Sequence, residues 1–154
     1  MSEFTRAFSE HNLGRGMEPE HIERILDCAI GEETFAEDEV IFRAGSQAWR
    51  VYLITEGEVA LEVHSPARPH RILQTVAGGE TLGWSWLFEP YRWIFDARAM
   101  TATTSLVLDG SKLRACVEAE PELGFLVVRR IASLVVDRLH ATRLQLLDLY
   151  ASRS

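Results

Sequence analysis

The chain has 154 residues, 47% of them hydrophobic and 25% charged, which is typical of a single globular domain spanning residues 1–154. Its 16 lysines and arginines are outnumbered by 23 aspartates and glutamates, and the net charge of −7 argues against direct binding of DNA. The sequence contains neither a secretory signal nor an apolar run of about 18 residues, so we expect a cytoplasmic protein that makes no membrane contact.

A short amphipathic helix is predicted over residues 18–30. It opens with Pro19, which favours the first turn of a helix, and ends at Gly31. Between them Ile22, Ile25 and Ala29 recur at the three-and-four spacing of one helical face. This face is expected to pack on the rest of the domain.

Short β-rich runs broken by turn residues follow over about residues 34–109, and they predict an antiparallel roll or sandwich. The segment from His64 to His70 contains two prolines and is predicted to be an exposed hairpin tip. Its two histidines have no nearby carboxylate or third histidine in the sequence, so we expect no metal site there.

Helices are predicted again over about residues 111–150, with Ser111 capping a short one and Pro121 beginning a long one. The long helix carries two apolar sets. One forms a seam for a homodimer: Val128, Ile131, Val135, Leu139, Thr142, Leu146 and Leu149. The other is expected to pack on the β body: Leu126, Val127, Leu134, Val136, Leu144 and Leu147. A wholly buried helix is the alternative.

The run FAEDEVIFRAGSQAWRVYLITEGEVALEV is similar to the opening strands of the cyclic-nucleotide-binding sensor domains of Crp/Fnr regulators. Asp38 stands where that family usually has a glycine, and VAGGETLG resembles its turn before the phosphate-binding cassette. The resemblance covers about residues 17–150. It implies a mainly β fold, an eight-stranded jelly-roll-like β-roll with a short N-terminal helix and a long C-terminal dimerisation helix. Those relatives continue from the long helix into a helix-turn-helix domain, whereas this sequence stops at Ser154. We therefore expect a stand-alone sensor domain that lacks the helix-turn-helix domain.

The resemblance also implies two residues that would hold a nucleotide, a glutamate for the ribose and an arginine for the cyclic phosphate. Alignment on Gly83 and on Arg98-Ala99 places Trp84 and Trp93 at these positions. An indole carries no charge and donates one hydrogen bond, so it replaces neither group. A degenerate nucleotide pocket is therefore expected. Binding of cAMP or cGMP through the neighbouring Arg92 is the alternative, and it requires a slip or bulge in the strand.

Aromatic residues are concentrated between positions 84 and 95, in two triplets separated by Glu89-Pro90. Extended triplets would each present one aromatic face, whereas a short helical cassette would splay the rings to different sides. The rings either fill the former nucleotide pocket or line a site for a hydrophobic ligand or a partner's side chain. The candidate pocket residues are Leu82, Gly83, Trp84, Ser85, Trp86, Arg92 and Trp93.

These observations favour a non-enzymatic regulatory domain that binds a non-nucleotide ligand, a protein partner or nothing, with no cofactor. No nucleophile beside a base and no phosphate loop is evident in the sequence. A cupin-like metal enzyme is less favoured, since only His64 and His70 of the five histidines lie in the predicted roll.

Overall fold

The computed structural model describes residues 3–65 and 68–152, and it consists of two antiparallel sheets with helices at both ends of the chain. The elements in order are α1 (Glu3–Glu10), α2 (Pro19–Leu26), β1 (Ala29–Phe35), β2 (Val40–Phe42), β3 (Arg50–Glu56), β4 (Glu58–Ser65), β5 (Arg68–Ala77), β6 (Asp96–Ala99), β7 (Thr103–Asp109), α3 (Gly110–Ala119) and α4 (Pro121–Ala151). This is the predicted β-roll with flanking helices, and the fold class is confirmed.

The strands form a sheet of order β1-β7-β3 and a second sheet of order β2-β6-β4-β5, with every pair antiparallel. Within the described residues there are seven strands, where the resemblance implied eight. Two isolated bridges, Gln47 with Arg92 and Leu53 with Thr81, extend the pairing beyond these strands. Backbone hydrogen bonds also tie the segment between β5 and β6 to the roll, since the Leu82 N–H donates to the Tyr52 carbonyl and the Gly45 N–H donates to the Trp93 carbonyl.

The N-terminal boundaries differ from the prediction. Helix α2 ends at Leu26, and Ala29 begins β1 by pairing with Leu108 of β7. Pairing to a central strand satisfies the backbone of this segment and overrides the helical spacing of its side chains. Helix α1 was not predicted from the sequence. It is anchored by Phe8, which is fully buried.

The C-terminal helices agree with the prediction in extent, with one correction. Helix α3 is capped by Asp109, whose carboxylate accepts the Lys112 backbone N–H at 3.0 Å, and not by Ser111. The Ser111 hydroxyl instead donates to the same carboxylate at 2.8 Å. Helix α4 begins at Pro121, as predicted, and its 31 residues make a rod of about 46 Å.

Asp38 explains why a glycine is usual at its position. Its φ is +70°, in the left-handed region that favours glycine. The Asp38 carboxylate accepts from Arg98 at 2.8 Å, and Arg98 also donates to the buried Glu62 at 2.9 Å. These hydrogen bonds raise the pKa of Arg98, with Glu62 the main cause. The cluster fixes the backbone around β6 close to the candidate pocket.

The predicted hairpin tip lies largely outside the described residues. The backbones of β4 and β5 end and begin there, at Ser65 and Arg68, whereas residues 66–67 and the side chains of residues 64–70 are not described. The expectation for His64 and His70 therefore stays a prediction.

Candidate functional site

The aromatic segment between β5 and β6 folds as consecutive tight turns. The Leu87 backbone N–H donates to the Trp84 carbonyl at 3.0 Å, and the Tyr91 N–H donates to the Phe88 carbonyl at 2.8 Å. Gly83 begins the segment at a φ of +83°. The rings consequently splay, with Trp86 fully buried and Phe88 mostly exposed. For the first triplet the extended alternative is wrong, because the turns rotate successive side chains away from a period of two. The second triplet keeps the alternation, with Trp93 buried between the exposed Arg92 and Ile94.

Trp93 turns into the roll. Its ring stacks on Phe42 with centroids 3.8 Å apart and planes 4° apart, and the side chain is only 5% exposed. Its backbone pairs with the loop before β3, where the Ser46 carbonyl accepts the Trp93 N–H at 2.9 Å. A Cβ on Gly83 would lie 3.1 Å from the Trp93 ring, so the glycine gives this ring its room. The indole thus occupies the interior below the turn.

The Arg92 side chain faces the opposite side of the segment from Trp93. It is exposed, and its guanidinium donates to the Gly45 carbonyl at 2.8 Å. Neighbouring residues in extended backbone face opposite sides, so the burial of Trp93 places Arg92 at the rim.

A cavity of about 820 Å³ lies between the roll and α4. Its lining includes five of the seven predicted pocket residues, namely Gly83, Trp84, Ser85, Arg92 and Trp93. The roll also contributes Phe42 and Leu61, and the aromatic segment adds Phe88, Glu89, Pro90, Ile94 and Phe95. The cavity is mainly apolar, and the two tryptophans line it without filling it.

Leu82 and Trp86 are corrections to the predicted pocket. Both are fully buried in the core and neither lines the cavity. Trp86 turns back toward the start of α3, where its Cβ lies close to Gly110 and its carbonyl accepts from Arg114 at 2.8 Å. The tight turn after Trp84 causes this, since it sends the two tryptophans in different directions.

Helix α4 supplies the other wall through Leu134, Val135, Asp137, Arg138, Leu139, Ala141 and Thr142. None of these seven was predicted as a pocket residue, and three of them, Val135, Leu139 and Thr142, were predicted for the dimer seam. The available signal was Arg138, a charged side chain set among the apolar positions of the helix. Its guanidinium lies 3.4 Å from the Glu80 carboxylate, and the Gln74 amide oxygen, oriented to accept, lies 3.2 Å from it.

Two further polar side chains from the roll side of the cavity, Thr81 and Glu80, are also hydrogen-bonded. The Thr81 hydroxyl donates to the Asn12 side-chain oxygen at 3.0 Å. Glu80 accepts from the Ala77 backbone N–H at 3.0 Å with its second oxygen. The polar end of the cavity therefore holds two hydrogen-bonded groups, Thr81 with Asn12 and the ion pair of Arg138 with Glu80 between helix and roll.

The predicted dimer residues divide into three groups. Val135, Leu139 and Thr142 line the cavity. Val128, Leu146 and Leu149 are exposed. Ile131 is a correction, because it is 2% exposed and packs inside its own chain's core.

The second apolar set is only partly placed as expected. Val127 is buried, and Leu126 and Leu134 are half-buried. Val136, Leu144 and Leu147 are exposed, so the prediction that they pack on the β body is wrong. Val136 lies on the side of the helix away from the cavity, and at Leu144 and Leu147 the helix has passed the cavity-lining stretch, so no part of the described chain covers them.

Within the parts that the structure describes, no helix is both long and apolar enough to cross a membrane. In the same residues, no three His, Cys, Asp or Glu side chains are grouped so that they could hold a metal ion.

Comparisons with known proteins place the chain in one family. Residues 32–120 match the family model described as the cyclic nucleotide-binding domain. A structure of a cyclic nucleotide-binding protein from Geobacter metallireducens is 27% identical, with a TM-score of 0.78, and the match covers 91% of this chain and 100% of that one. The catabolite activator protein of Thermus thermophilus is 26% identical, with a TM-score of 0.69, covering 91% of this chain and 63% of that one.

A protein of Rhodopseudomonas palustris, named as a potassium channel protein, is 32% identical over 100 residues. That match covers 65% of this chain and 23% of the relative, so the chain spans about a quarter of that protein's length. With the family model covering more than half of its residues, the chain belongs to the cyclic nucleotide-binding domain family of regulatory proteins, and its fold is that of the Crp/Fnr sensor domains.

Proposed function

We propose that this domain is a sensor whose cavity takes a small molecule other than a cyclic nucleotide. The observation that carries the proposal is the position of Trp93, which is buried against Phe42 where the resemblance implies an arginine for the cyclic phosphate. An indole carries no positive charge and cannot give a phosphate the bidentate ion pair of a guanidinium, and the loss of that contact costs at least about tenfold in affinity. Trp84, at the position of the ribose-binding glutamate, lines the same cavity.

Calorimetry with cAMP and cGMP tests this directly. We expect no heat of binding at millimolar nucleotide. Arg92 supports the alternative function, because it lines the cavity at the rim and its guanidinium donates to a neutral carbonyl. Micromolar binding that Arg92→Ala abolishes would establish that alternative and overturn the proposal.

We also propose a homodimer formed through the seam of α4. Val128, Leu146 and Leu149 form an exposed apolar stripe on α4, which extends beyond the rest of the domain. Such a stripe is commonly buried by pairing with a second copy of the same helix. Val135, Leu139 and Thr142 lie on the predicted seam and also line the cavity. A ligand in the cavity would therefore contact side chains that also pack against the second copy. Ligand binding could in this way alter the dimer contact, which would be the signal that the sensor transmits.

The adjacent residues Leu146 and Leu147 provide a matched test of the dimer. Both are exposed in the monomer, but only Leu146 lies on the seam. Light scattering coupled to gel filtration should show that Leu146→Asp is a monomer and that Leu147→Asp remains a dimer. A wild-type monomer at high concentration, or equal effects of the two changes, would contradict the proposed interface.

A further inference from the structure

The side chains that line the cavity carry more negative than positive charges. Three carboxylates line it, those of Glu80, Glu89 and Asp137, and two guanidiniums, those of Arg92 and Arg138. The lining is therefore net negative by one charge. An anionic ligand would enter against this field, whereas a cation would be attracted to it.

The pairing of these groups leaves the imbalance in place. Arg138 lies 3.4 Å from Glu80, so these two charges offset one another, and Arg92 donates to the Gly45 carbonyl. The carboxylates of Glu89 and Asp137 have no hydrogen-bond or ion-pair partner among the described residues. Both side chains are exposed at the cavity, Glu89 from the aromatic segment and Asp137 from α4. The charges outside this ion pair are thus two carboxylates from opposite walls and the Arg92 guanidinium at the rim, and their sum is still negative by one.

The apolar walls are suited to the same kind of ligand. Five aromatic side chains line the cavity: Phe42, Trp84, Phe88, Trp93 and Phe95. The face of an aromatic ring is electron-rich and attracts organic cations, most strongly when the ring is an indole. A hydrophobic body gains from contact with the aliphatic side chains of α4 as well.

We propose that the cavity binds organic cations, such as quaternary ammonium or phosphonium compounds with an apolar body, and that Glu89 and Asp137 provide the charge selection. This inference rests on the proposed function, since it names the ligand class of the same cavity. Both carboxylates are exposed to solvent, so each contributes about twofold to fivefold in affinity, and the contribution falls as salt rises.

Tetraphenylphosphonium and tetraphenylborate test the charge preference, because they have nearly the same shape and opposite charges. Binding is measured by calorimetry and by quenching of tryptophan fluorescence in low-salt sodium buffer, with uncharged triphenylphosphine oxide as a third probe. We expect the phosphonium to bind more tightly than the borate by about tenfold, the combined preference of two exposed carboxylates. Trp84→Ala, checked for folding by circular dichroism, should weaken binding of the phosphonium if it occupies this cavity.

Substitutions of the two carboxylates distinguish selection for positive charge from nonspecific hydrophobic binding. Glu89→Gln with Asp137→Asn should weaken the phosphonium by about fivefold or more and leave triphenylphosphine oxide unchanged. Asp148→Asn is the matched control, since it removes a carboxylate from the same helix outside the cavity and should change neither.

The outcomes distinguish the two proposals. Equal or tighter binding of the borate or the uncharged probe overturns the cation preference and leaves a non-nucleotide ligand site in place. Tight binding of cAMP overturns the proposed function itself. Failure of all three probes to bind overturns the cation site as well.

Discussion

The two halves of α4 have similar apolar content but different surroundings. In the first half, Leu123, Val127 and Ile131 are buried against α3 and the rest of the body. In the second half, Leu144, Leu147 and Leu149 are exposed by half or more. This difference shows that the spacing of apolar residues predicts a helix and its apolar faces. Which of these faces is buried depends on how far the rest of the domain extends along the helix.

The first half is also tied to the N-terminal segment. Arg130 donates to the Asn12 carbonyl at 2.8 Å and to the Arg15 carbonyl. Asn12 in turn lines the cavity and bonds Thr81. The packed half therefore holds together the N-terminal segment, the roll and one end of the candidate site. In the second half, the ties of the described chain lie at its start, where Arg138 pairs with Glu80 and Gln74 of the roll.

The largest expected difference between the halves is in packing. Ile131→Ala should lower the free energy of unfolding by about 2–5 kcal/mol, because it leaves a cavity in a closed core. Val136→Ala, on the exposed part of the same helix, should stay within about 0.5 kcal/mol. Urea denaturation followed by circular dichroism at one protein concentration measures both. Similar losses for the two variants would mean that the second half is packed as firmly as the first.

A pH dependence should come from His11, in the N-terminal segment that the packed half of α4 holds in place. Burial lowers the pKa of His11 from 6.5 to about 4, against a weaker opposing effect of the Glu80 and Ile54 backbones. His11 is thus neutral in the fold and takes up a proton on unfolding, so the free energy of unfolding falls as the pH drops from about 6.5 to about 4. The loss over that window is about 3 kcal/mol.

Urea denaturation at several pH values checks this expectation. His11→Gln should lose most of the slope between pH 6.5 and pH 4, while His140→Gln, on the exposed half of α4, should keep it. Equal slopes in wild type and His11→Gln would show that other groups cause the acid loss.

A smaller effect is expected from Arg130. Arg130→Gln removes two hydrogen bonds from a charged donor to backbone carbonyls, at a partly exposed site, and should lower the free energy of unfolding by about 1–2 kcal/mol. Arg143→Gln is the matched control on the exposed half and should change it by less than about 0.5 kcal/mol. Thermal unfolding at low and high salt measures both, and an unaltered Arg130→Gln melting curve would show that the N-terminal segment is held without this side chain.

The sequence by itself determined the fold class, the extent of α4 and the concentration of aromatic residues beside the cassette. Each depends on local patterns: turn residues between short β-rich runs, Pro121 at a helix start, and a family resemblance across about residues 17–150. It also predicted five of the residues that line the cavity, including both tryptophans.

Tertiary structure alone decided the rest. Ala29 begins a strand because β7 lies beside it, and Trp86 is in the core because a tight turn follows Trp84. Ile131 is covered by its own chain, although its spacing matches that of the exposed seam. Arg138 joins the site because α4 crosses the mouth of the roll. Such facts depend on contacts between residues far apart in the chain, and a local pattern carries no information about which distant surface it will meet.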